Sequence, residues 1–74
     1  MKHTVVGFLP NEDFPCYEQI IKISVSDLTV LMEWEDESWV VYDYRLDEHK
    51  IRKIEQACNV KFPEGLELFL MTTA

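Results

Sequence analysis

The amino-acid sequence predicts a two-layer α+β domain, a four-stranded sheet with two helices on one face, in the order β-β-α-β-α-β. Three observations lead there. Four segments rich in β-branched, aromatic and aliphatic residues lie at 4–9, 16–23, 38–46 and 66–72, set off by turn-forming residues such as Pro10, Asn11, Pro15, Asp47 and Gly65. Two further segments open on the capping residues Ser24 and Asp47 and repeat apolar side chains at helical spacing. The chain of 74 residues makes one domain, 1–74. At that size only about 60% of the unfolded surface is buried on folding, so helices packed on one face of a single sheet suit it.

The first strand carries Thr4-Val5-Val6 and Gly7-Phe8-Leu9, and Pro10-Asn11-Glu12-Asp13 turns the chain. Gly7 marks a bulge or a close approach of neighbouring chain. In the second strand Tyr17, Ile21 and Ile23 fall on one alternation and Glu18, Ile20 and Lys22 on the other, so the two strands pair as a hairpin. Ser24 then caps a short helix, with Asp27 at the capping-box position and Val25, Leu28, Leu31 and Met32 as its apolar stripe. The third strand, 38–46, has the highest β-branched and aromatic content and is expected at the centre of the sheet. Its Val40, Tyr42, Tyr44 and Leu46 suit the core, against Trp39, Val41, Asp43 and Arg45 on the other side. Asp47 caps the second helix, with Leu46 and Ile51 at hydrophobic-staple positions, Ile51, Ile54, Ala57 and Cys58 as its core stripe, and Asn59 as its stop. After Phe62-Pro63-Glu64-Gly65, a last strand with apolar residues on both faces is expected in the sheet interior. The open face of the sheet is expected to hold Trp39, Val41 and Phe69.

Hydrophobic residues make up 47% of the chain, enough to fold it, and 14 acidic residues against 7 basic ones leave a net charge of -7. That charge repels nucleic acid and anionic lipid and favours a basic partner. The acids concentrate in Glu33-Trp34-Glu35-Asp36-Glu37-Ser38-Trp39, with Asp43 close behind. Carboxylates after a helix oppose its dipole, so something other than helix stability would place them there. Glu33, Glu35, Asp36, Glu37 and Asp43 are the candidate contacts for lysines and arginines of a partner, with Trp34 and Trp39 as apolar anchors or, alternatively, as core residues. A solvated loop kept soluble by its charge is the competing account.

Catalytic signatures are absent, and the chain is read as a non-enzyme. His3 and His49 share no metal spacing with cysteine, the acidic segment lacks the spaced ligands and glycine of a calcium loop, and Gly7 and Gly65 alone make no phosphate-binding loop. A Cys58–His49 pair fails on geometry, since residues nine apart on a helix project about 180° from one another. No metal or cofactor is expected. Cys16 and Cys58 read as buried, reduced small hydrophobes, with a single bridge between them as the alternative. With no long apolar run, the expected location is the cytoplasm, away from membranes.

The opening Val5-Val6-Gly7-Phe8, the acidic segment ahead of Val41-Tyr42-Asp43-Tyr44, the short second helix and the closing Leu68-Phe69-Leu70 resemble a group of small bacterial domains. That group is similar to the immunity proteins found beside polymorphic or contact-dependent growth-inhibition toxins. The likeness spans most of the chain. It implies binding without catalysis and transfers no site residues, because such proteins use different surfaces against different toxins. The leading expectation is an acidic cytosolic binding protein that neutralises a basic toxin nuclease by covering its nucleic acid cleft. A phage-encoded nucleic-acid mimic would act by the same chemistry, and a small structural or regulatory module that homodimerises through its sheet face is the alternative from another class.

Overall fold

The computed structural model describes all residues, Met1–Ala74. Strands β1 (Lys2–Phe8), β2 (Tyr17–Ile21), β3 (Tyr44–Arg45) and β4 (Glu67–Thr73) form one antiparallel sheet in the order β2-β1-β4-β3. Helices α1 (Val25–Met32) and α2 (Glu48–Cys58) pack on one face of it. On that face Val5, Ile21, Leu68 and Leu70 meet Leu28 and Met32 of α1 and Ile54 of α2 in a single cluster, completed by Trp34, Val40, Leu46 and Phe62. The expected α+β architecture is therefore present. No helix is long and apolar enough to cross a membrane.

The caps work as their residue types dictate. The Ser24 hydroxyl accepts from the Asp27 amide at 3.1 Å, and the Asp47 carboxylate accepts from the Lys50 amide at 2.8 Å. Asn59 ends α2 in the left-handed conformation, with its amide bonded to the Glu55 carbonyl. Glu55 also binds the turn beyond, its carboxylate accepting from the Phe62 amide at 2.8 Å. Gly7 marks a close approach: a Cβ there would lie 2.8 Å from Leu66 and 3.1 Å from Leu68.

Four expectations are corrected. The segment 38–46 is not a central strand: Glu37–Val41 is a 3-10 turn, and only Tyr44–Arg45 pairs, at the sheet edge. Asp36 caps that turn, and Trp39 accepts from the Tyr42 amide at 3.3 Å, so side-chain capping outweighs β propensity. Trp39 and Val41 consequently leave the open sheet face to Phe69. Ala57 is exposed, because it points about 100° away from its neighbour Cys58, which lies half-buried against the core. Cys16 is exposed in the hairpin connection ahead of β2, and both cysteines are free.

Candidate functional site

The acidic segment is held in place from several sides. Glu33 ends α1 in the left-handed conformation, φ 61°, and the Trp34 amide donates to the Thr29 carbonyl at 3.0 Å. Only Glu33 therefore stands at the unfavourable end of α1. Asp36 and Glu37 open the 3-10 turn, where carboxylates accept from free amides. Asp36 accepts from the Ser38 amide at 2.8 Å and from the Ser38 hydroxyl. These two bonds, the hydroxyl's first, hold its carboxyl below the ordinary carboxylate range. Glu37 accepts from the Ser26 hydroxyl at 2.7 Å, tying the segment to the first turn of α1.

The structure separates the candidate residues. Glu33, Glu35, Asp36 and Glu37 are exposed on the loop, with Trp39 38% exposed beside them. Trp34 is corrected from anchor to core residue: it is 8% exposed, and its ring is part of the central cluster. Asp43 serves a different surface, the open face of the sheet.

That open face carries the side chains that alternate away from the helices. Strand register aligns Glu18, Val6, Phe69 and Arg45 in one row across all four strands, with Ile20, Thr4 and Met71 in the next. Phe8 and Phe69 meet edge to face with ring centroids 5.6 Å apart. Together with Met71 they form the floor of a shallow groove of about 450 Å³. Its rim holds Glu12 and Asp13 from the β1–β2 connection, Asp43 from just before β3, and Glu67 and Arg45, which pair at 3.1 Å. Sequence reasoning reached Asp43 and Phe69 but missed Phe8, Met71, Glu12 and Asp13. The available signals were the apolar residues on both faces of the last strand and the Glu12-Asp13 pair. Joining them requires the strand order.

His3, unremarkable in sequence, is also placed by the fold: it is 3% exposed on β1, with Nδ1 3.0 Å from Thr72 Oγ1. Burial pushes the Cys58 thiol above its ordinary value, which disfavours the reactive thiolate. No group of three or more His, Cys, Asp or Glu side chains is arranged to hold a metal ion. The groove rim offers carboxylates and its floor apolar area.

No protein-family model, curated protein or solved structure matches the chain.

Proposed function

We propose that this protein is an acidic binding protein that neutralises a basic protein partner, a toxin nuclease whose nucleic acid cleft it covers. One observation carries the reading: of the fourteen acidic residues only Glu48 and Glu67 engage in ion pairs, with Arg52 and Arg45. The other carboxylates form no ion pair, and the net charge of -7 projects a negative field into solvent, suited to steering a cationic surface. The resemblance to immunity proteins supplies the partner class, and the cytoplasm is where such a protein would meet an incoming toxin. The mechanism is occlusion, with carboxylates in the places that phosphates would take.

The test uses the intact chain as bait in a lysate of its host, together with the product of the adjacent upstream gene. The captured protein is expected to be basic and to lose nuclease activity in the complex. Association should slow steeply as salt is added. Joint Glu33→Lys, Glu35→Lys and Glu37→Lys substitutions, which spare the capping Asp36, should weaken binding and flatten the salt dependence. Unchanged affinity and unchanged salt dependence in that variant would remove the acidic loop from the mechanism.

A further inference from the structure

We infer that the open face of the sheet docks the basic partner, seating an aliphatic or aromatic side chain on Phe8, Phe69 and Met71 and its flanking lysines or arginines against Glu12, Asp13 and Asp43. This rests on the binding function proposed above and names the surface and the chemistry it recognises. Both helices lie on the opposite face, so no helix covers the Phe8–Phe69 pair, and both rings are half-buried. The groove of about 450 Å³ falls within the size range of pockets that hold compact apolar groups.

Charge decides the occupant. Arg45 is the one cation on the rim and is tied to Glu67 at 3.1 Å, which leaves Glu12, Asp13 and Asp43 without a basic neighbour there. A second copy seated symmetrically would bring two such sets of carboxylates together, and like charges across an interface oppose association. Nucleic acid is repelled for the same reason. A segment with an apolar side chain between cations satisfies both the floor and the rim. At the acidic loop Trp34 lies in the core, and Trp39, 38% exposed, is the one tryptophan left beside the carboxylates.

Two synthetic peptides test this: Lys-Arg-Leu-Arg-Lys with blocked ends, and a twin with Ser in place of Leu, each titrated into isotopically labelled full-length protein. The leucine peptide is expected to shift the amide resonances of Phe8, Phe69 and Met71 and to bind about tenfold tighter than its twin. Phe69→Ser should erase that difference. The joint Glu12→Gln, Asp13→Asn and Asp43→Asn variant, altered only at exposed positions, should weaken both peptides without disturbing the fold. Equal binding of the two peptides, with shifts confined to residues 33–37, would overturn the docking surface while leaving the acidic binding function standing. Absence of shifts with either peptide at low salt would overturn both. Sedimentation as a dimer that Phe69→Ser converts to a monomer would assign the face to a second copy and end this proposal.

Discussion

Trp34 and Tyr44 pack ring against ring, centroids 5.0 Å apart at 39°, and the Tyr44 hydroxyl donates to the Trp39 carbonyl at 2.6 Å. One tyrosine thus holds both aromatic ends of the acidic segment. Tyr44 belongs to β3 and is registered against Leu70 of β4, so the sheet fixes the loop. Burial, with Tyr42 nearby, raises the Tyr44 phenol above its ordinary value.

Tyr44→Phe keeps the ring contact and removes the hydroxyl, so it should cost about 0.5–1.5 kcal/mol in urea unfolding. Trp34→Ala should cost about 3–5 kcal/mol, because it empties a core position. Comparable losses from the two would mean that the tryptophan is not packed as described. Hydrogen exchange should also quicken at Trp39 and Tyr42 in Tyr44→Phe, ahead of any change in α2.

Much of the fold was legible because its signals are local. Ser24 and Asp47 cap the helices they announce, Tyr17, Ile21 and Ile23 turn to the core, and Asn59 stops α2. The segment 38–46 misled because Trp39-Val40-Val41-Tyr42 has strand composition, while its conformation is set by the Asp36–Ser38 cap and by Val40 and Trp34 seeking the core. The candidate groove was the least legible feature. Phe8, Asp43 and Phe69 belong to three parts of the chain, and only the order β2-β1-β4-β3 brings them together.

The two glycines should respond to alanine for different reasons. At Gly7 the new methyl would meet Leu66 at 2.8 Å, Leu68 at 3.1 Å and Tyr17 Cβ at 3.2 Å, so crowding sets the cost, about 1–3 kcal/mol. At Gly65 nothing lies within 4 Å, but φ is +83°, so the cost is backbone strain of about 1–2 kcal/mol. The compensating change distinguishes them: Leu66→Ala should relieve part of the Gly7→Ala loss and none of the Gly65→Ala loss. Equal rescue of both would contradict this assignment.

Asp47→Ala removes the acceptor that the Lys50 amide meets at 2.8 Å and should cost about 0.5–2 kcal/mol. Asp47→Ser should recover most of it, since a hydroxyl caps almost as well. A serine variant no more stable than the alanine one would mean that Asp47 acts through its charge alone. Thermal unfolding of the three proteins at one pH makes the comparison.

His3 makes stability fall on mild acidification. Its ring is buried between neighbouring strands with Nδ1 on Thr72, and burial, followed by the charge of the N-terminal ammonium, lowers its pKa from the ordinary 6.5. In the unfolded chain the imidazole takes up a proton near its ordinary value, whereas the folded chain resists until lower pH. The contribution is therefore fully present above 6.5 and is lost as pH falls from there toward the folded value. Carboxylates titrate mostly below about pH 5, so the window between about pH 7 and pH 5 isolates the histidine effect. Urea midpoints across that window should decline in the parent protein and stay nearly level in His3→Gln, whose amide can still reach Thr72. A parent midpoint that held constant or rose toward pH 5, or an equal decline in His3→Gln, would refute the assignment.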